Sequence, residues 1–158
     1  MKIIEGSVTT PGGFLASGVV ANIRKQNRKD VGLIYSPQLC TAAGVFTVNV
    51  VHADSVDTDR RHLADGHAQA IIVNSGIANA CNGEAGPKSN QASSEKVAAA
   101  LGITPENVLV ASTGVIGVPL PLDKMAAGID AAISTNGVLF TKPKLEECLS
   151  SLMWIRYS

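Results

Sequence analysis

Aromatic side chains are scarce, with Phe, Tyr and Trp making up only 4% of the 158 residues. Any core must therefore be assembled from Val, Ile, Leu and Ala, and a hydrophobic content of 46% is ample for that. An excess of charge is also missing. The 13 basic and 13 acidic side chains cancel to a formal net charge of zero, so the long-range attraction toward nucleic acid or an anionic membrane surface is absent. No stretch approaches the roughly 20 consecutive apolar residues of a membrane span. The opening Met1-Lys2-Ile3-Ile4-Glu5 is too short and too soon acidic for a signal peptide, and a cytoplasmic chain is expected. The 3 cysteines, Cys40, Cys81 and Cys148, are odd in number and far apart. That spacing suits neither a disulfide framework nor a metal site and predicts free, mostly buried thiols.

The length suits one domain. Pro11-Gly12-Gly13 marks a turn, and the apolar run from Gly18 to Ile23 reads as a strand after it. Lys25 to Asp30 is a polar turn. Val31 to Ser36 reads as a buried strand closed by Pro37, and Ala43 to Val51 as another. Short connections between these early strands favour antiparallel pairing. Asp54 to Asp65 predicts a short surface helix stopped by Gly66, followed by a strand from His67 to Val73. Ser89 to Leu101 predicts a helix with Val97, Ala98 and Leu101 on one face and Gly102 as its stop. Asn107 to Ala111 predicts a strand, and Leu122 to Ile133 an amphipathic helix. The fold class is α/β, a layered α+β sandwich and not a bundle. A doubly wound nucleotide fold fits less well, because its glycine-rich turn would join the first strand to a helix. Residues 1–132 form the domain and 133–158 a divergent tail, in which Leu145, Leu149, Leu152 and Met153 mark one amphipathic set.

Two segments that follow strands combine glycine with small polar residues, where a backbone can approach a ligand closely. Asn74-Ser75-Gly76-Ile77-Ala78-Asn79-Ala80-Cys81-Asn82-Gly83 offers neutral hydrogen-bonding groups, though Asn side chains in such loops also satisfy their own backbone. Ser112-Thr113-Gly114-Val115-Ile116-Gly117 places a hydroxyl, Thr113, beside an unshielded backbone N–H, Gly114. Acyl transfer stabilises its tetrahedral oxyanion with donors of this kind, yet a plain turn has the same spelling. Pro11-Gly12-Gly13 lacks the Gly-Lys-Ser/Thr ending of a phosphate loop. His52, His62 and His67 lack zinc-enzyme spacing and read as surface residues. Asp123, beside Lys124, is explained by the dipole of the helix it opens. Ser75 lacks the frame of a nucleophile elbow, so no nucleophile with an adjacent base stands out.

Taken together these motifs resemble the amino-terminal half of the ornithine acetyltransferase family. The resemblance rests on Pro11-Gly12-Gly13-Phe14 with Ser17-Gly18-Val19, on Thr41 to Thr47 with Asn49, on Val73 to Gly76 with Ala78 to Cys81, Gly83 and Glu84, and on Val108 to Pro121 with Asp123-Lys124. It runs in order from about Gly6 to Ala132, and Val110 to Pro119 is its most specific stretch. What it implies is an incomplete half of the full family fold. It further implies a glutamate N-acetyltransferase of arginine biosynthesis that cuts itself within a Lys-Gly-Ala-Thr type motif. The freed Thr would take the acetyl group from N-acetylornithine and pass it to glutamate; bifunctional members also use acetyl-CoA. The residues matching the family's oxyanion hole are Thr113 and Gly114. No metal or prosthetic group is implied, acetyl-CoA being at most a co-substrate, and the partner would be a β-type chain in a heterotetramer.

No Thr here follows Lys-Gly-Ala, so the nucleophile is absent and the chain alone is expected to be inactive. Thr141-Lys142-Pro143-Lys144 only partly matches a substrate-binding stretch of the family, and Ile77 replaces a usual Asn. A truncated or frameshifted amino-terminal part is expected. The alternative reading is a non-catalytic remnant, or a module that binds metabolites or subunits.

Overall fold

The computed structural model describes residues 6–134; the predictions for the tail and for Cys148 lie outside the described residues. Four strands, β1 (Leu15–Val19), β2 (Val31–Thr41), β3 (His67–Ile77) and β4 (Val108–Val115), form one sheet in chain order. β1 with β2 is antiparallel, as the short connection between the early strands predicts, β2 with β3 is antiparallel as well, and β3 and β4 are parallel. The parallel pair needs a long crossover, and α2 (Ala85–Leu101) supplies it. With α1 (Asp54–His62) and α3 (Leu122–Ser134) it makes the helical layer of a mixed α/β fold. Gly66 and Gly102 take the left-handed conformation at the helix stops the sequence predicts. The second helix begins at Ala85 and not at Ser89. Pro87 is tolerated there, because first-turn N–H groups have no intrahelical partner.

Strand alternation explains where the core lies. Leu33, Ile72 and Val110 stand in one row across the sheet, and Ala70 and Val108 in the next. They pack against Val97 and Ala98 of α2 and Met125 and Ile129 of α3, all buried. The opposite face carries a second apolar row, Ile34, Ile71 and Leu109, half-buried.

Ala43 to Val51 is not a strand. Its β-branched residues spell one, but β propensity records the fit to a pleated, half-buried surface, and this segment joins no edge of the sheet. The outer edge of β4 is covered by α1. Polar contacts tie the segment to α1 instead. Arg60 lies over Phe46, 5.4 Å from the ring centroid, and donates from Nη2 to the Thr47 carbonyl at 3.3 Å. The two ring nitrogens of His52 face the Asn49 carbonyl and the Asp57 carboxylate at 2.8 and 2.9 Å. The Asp57 hydrogen bond, then the Asn49 carbonyl, raise the His52 pKa, and His52 lowers that of Asp57. Val45, Val48 and Val50 are left 92–100% exposed.

The cover over β4 comes from two side chains that reach its outward backbone groups. His62 Nδ1 meets the Val108 carbonyl at 2.8 Å, so this histidine is held and is not a free surface residue as its sequence suggests. Asp59 Oδ1 accepts the Val110 N–H at 2.8 Å. Such cover protects an edge that would otherwise pair with other chains. Burial pushes the Asp59 carboxyl up to about 6, against the opposing effects of the Val110 N–H and of His62. The folded chain therefore binds this proton more tightly than the unfolded chain, whose carboxyl titrates near 3.8. Between those two values stability falls as pH rises, and the penalty is complete above the folded value. With solvent screening allowed for, the effect is about 1–2 kcal/mol. Asp59→Asn keeps an acceptor for Val110 and should flatten this part of the pH dependence in urea unfolding. Equal pH slopes for the two proteins would refute the assignment.

Candidate functional site

β3 and β4 run in register from Ala70 opposite Val108 to Ser75 opposite Thr113, then bring Gly76 opposite Gly114. There the register slips, and Ile77 faces both Thr113 and Val115. Gly76 and Gly114 have φ of +110° and +135°. A Cβ on Gly114 would land on the carbonyl carbon and oxygen of Gly76, so the backbones touch there because a side chain is missing. Asn74, wholly buried, holds the slip from beneath. Its Nδ2 donates to the Ile77 carbonyl at 2.9 Å, and its Oδ1 accepts the Ser112 hydroxyl at 2.6 Å. Beyond the strands, the Ala78 N–H donates to the Val115 carbonyl, and the Gly117 N–H to the Ala80 carbonyl.

This distorted strand end lines a cleft of about 280 Å³, with Ser75, Gly76, Thr113 and Gly114 on one side and the loop between β1 and β2 on the other. Thr113 is half-buried and Gly114 exposed. Among the described residues no hydrogen bond engages the Thr113 hydroxyl. A hydroxyl free to donate, beside a backbone stripped of side-chain cover, is the arrangement that stabilises a developing oxyanion. The sequence pairs Thr113 with Gly114, and the structure opens both to one cavity.

The asparagines of the preceding segment are turned inward. Asn79, 1% exposed and at φ +48°, donates from Nδ2 to the Gly86 carbonyl and to Asn90 Oδ1 at 3.0 and 2.9 Å. Asn82 donates to Asn79 Oδ1 and to the Val118 carbonyl, and Asn90 to Thr58 Oγ1. These amides join the segment to α2 and α1, so the structural side of the sequence's two readings describes them. Ser75 alone of that segment's polar groups reaches the cleft with its glycine neighbour, Gly76. Pro11-Gly12-Gly13 is an exposed turn before β1, and Asp123 lies in the first turn of α3. Cys81 is exposed and Cys40 half-exposed, which corrects the prediction of buried thiols. Cys81 sits at φ +59° in a loop whose interior is occupied by amides. Among the described residues no group of three or more His, Cys, Asp or Glu is placed to hold a metal ion. No helix among them is long and apolar enough to cross a membrane.

The sequence reading missed the far wall of the cleft. Arg24, Lys25 and Arg28 line it, with Asp30 behind them. The signal was there, since residues 24–29 spell Arg-Lys-Gln-Asn-Arg-Lys without an acid, but a basic hydrophilic turn carries no mark of what it faces.

The ArgJ family model matches residues 15–153. The arginine biosynthesis bifunctional protein ArgJ of Caldanaerobacter subterraneus subsp. tengcongensis is 50% identical over 132 residues, covering 84% of this chain and 32% of that protein. Its counterpart from Symbiobacterium thermophilum is 48% identical over 134 residues, with 84% and 33% covered. The chain thus spans about a third of the length of these curated relatives. Among solved structures, ornithine acetyltransferase from Mycobacterium tuberculosis, complexed with ornithine, superposes with a TM-score of 0.83 at 39% identity. That match covers 90% of this chain and 77% of the solved one. ArgJ from Bacillus halodurans gives a TM-score of 0.75 at 40% identity, over 78% and 65% of the two chains. With a model match over most of its length and relatives at half identity, the chain belongs to the ArgJ family.

Proposed function

We propose that this chain is the amino-terminal, α-type portion of an enzyme that moves an acetyl group from N-acetylornithine to glutamate in arginine biosynthesis. Thr113 and Gly114 are its contribution to the oxyanion hole. The observation that carries the reading is the opening of the Thr113 hydroxyl and the Gly114 backbone onto one cleft at the slipped end of β4. In this scheme a Thr hydroxyl on a second, β-type chain attacks the acetyl carbonyl. The negative charge gathers on the carbonyl oxygen beside Thr113 and Gly114, and collapse expels ornithine as the amine, leaving an acetyl ester. The glutamate amine then attacks that ester, regenerates the hydroxyl and leaves as N-acetylglutamate.

Two further facts support it. The chain covers 65–77% of the solved chains but only about a third of the curated relatives, as expected of a polypeptide that is cut into two. The half-buried row Ile34, Ile71 and Leu109 leads toward Thr113 on the face away from the helices, which offers an apolar surface to a second chain. A heterotetramer in the cytoplasm, with no resident cofactor and acetyl-CoA as co-substrate, completes the reading.

Reconstitution tests it. The chain is mixed with a β-type family chain that begins at its nucleophilic Thr, and exchange of label between N-acetylornithine and glutamate is followed. Exchange is expected in the mixture and in neither chain alone. A mixture that associates by light scattering yet exchanges nothing would leave the non-catalytic binding module as the better description.

A further inference from the structure

The loop opposite Thr113 is held far more firmly than a solvated turn requires. Asp30, 4% exposed, receives the Ala21 N–H on Oδ1 at 2.7 Å and the Ile23 N–H on Oδ2 at 2.6 Å, and its carbonyl receives the Ser75 N–H at 2.8 Å. Asn22, at φ +56°, accepts the Asn27 N–H on its side chain, and its carbonyl accepts Lys124 Nζ from α3 at 2.8 Å. Ile23 is buried in the core. The loop is thereby fixed to β1, β3 and α3, while its long basic side chains stay exposed. Arg24, Lys25 and Arg28 all reach the cleft, and among the described residues none of the three forms an ion pair. The one acid beside them is already committed to backbone N–H groups. In a chain of zero net charge, three uncompensated cations therefore stand on a rigid wall facing the oxyanion pair.

We infer that Arg24, Lys25 and Arg28 form an anion-binding rim that holds the phosphate groups of an acyl donor while its acyl carbonyl lies at Thr113 and Gly114. The inference rests on the acyl-transfer reading of those two residues. Charge and geometry select the ligand. Guanidinium groups grip phosphate oxygens in pairs, and three cations match a polyanion better than a single carboxylate. An ornithine-type substrate carries one carboxylate against one side-chain amine, so it brings the rim no net negative charge, whereas a phosphorylated acyl donor brings several. The cleft is at the small end of ligand sites, so an acyl end fits inside it while a larger phosphorylated body lies across the rim. Because the cations are exposed, the attraction must weaken with salt, whose screening length is about 8 Å at physiological ionic strength.

Titration calorimetry of the 158-residue chain tests the rim with three probes, coenzyme A, inorganic pyrophosphate and glutamate. Coenzyme A is expected to bind more tightly than glutamate and to weaken as salt rises. The double variant Arg24→Ala/Arg28→Ala should lose about tenfold or more in affinity for coenzyme A and for pyrophosphate, with its thermal unfolding unchanged because both side chains are exposed. The rim is refuted if the variant binds coenzyme A as well as the parent chain does, or if the parent chain binds none. A loss confined to glutamate refutes it in favour of a carboxylate site. The two readings fail separately. Binding of coenzyme A that depends on the two arginines, in a chain whose reconstituted mixture exchanges nothing, would keep the rim and remove the acetyltransferase.

Discussion

Gly114→Ala should cost about 2–6 kcal/mol of folding stability and close the cleft. Two costs add. At φ +135° a residue with a Cβ is strained by about 1–3 kcal/mol, and the new methyl would occupy the Gly76 carbonyl, which cannot move without parting the ends of β3 and β4. Overpacking against rigid neighbours adds about 1–3 kcal/mol. Against the 5–15 kcal/mol that holds a typical domain together, the loss approaches unfolding. Neighbouring glycines grade the effect. Gly76→Ala meets Arg24 Cβ at 3.1 Å, a contact a few tenths of an ångström too tight and not the overlap found at Gly114, and Gly117→Ala meets nothing within 4 Å and pays only for its φ of +74°. Urea midpoints should fall in the order Gly114, Gly76, Gly117, with the first lowest. An unchanged midpoint for Gly114→Ala would mean that the two backbones do not touch as described.

That contact is also where sequence reasoning stops. Periodicity finds the helices and β2, β3 and β4, because Val97, Ala98 and Leu101 repeat at helical spacing and β3 alternates or runs apolar, but β1 runs over Leu15–Val19 and not along the apolar run from Gly18 to Ile23. Glycine after the last apolar residue gives the stops at Gly66 and Gly102. The same logic fails at Ala43 to Val51, where the local spelling is a strand but the segment is tied by Arg60 and Asp57 to α1, a contact that local spelling does not carry. The proposal of Thr113 and Gly114 as an acyl-transfer pair comes from their neighbours in the chain. Their distant partners are not legible there. Gly76 lies 38 positions before Gly114, as Asn74 lies before Ser112, and only the parallel register of β3 and β4 joins them. The basic wall fails for another reason. A turn rich in Arg and Lys is ordinary on a surface, and its meaning comes from the buried Asp30 that aims it at the cleft.

Thr113→Ala separates the chemistry from the architecture. The hydroxyl is half-buried and makes no hydrogen bond within the described residues, so its loss should shift unfolding by no more than about 0.5 kcal/mol. In the reconstituted enzyme the same change removes a donor whose partner exists only as the carbonyl oxygen becomes an oxyanion. Loss of one such donor is worth about 2.7–4 kcal/mol, roughly 10²–10³ in kcat. KM for N-acetylornithine should hardly move, because an interaction made only in the transition state leaves substrate binding alone. Thr113→Ser keeps the hydroxyl and should recover most of the rate, which a purely structural role for the methyl group would not predict. Association with the second chain should be the same for all three proteins. A kcat within threefold of the parent for Thr113→Ala, in a mixture that still assembles, would show that the oxyanion is held elsewhere and that the slip at Gly76 and Gly114 shapes the cleft without supplying this donor.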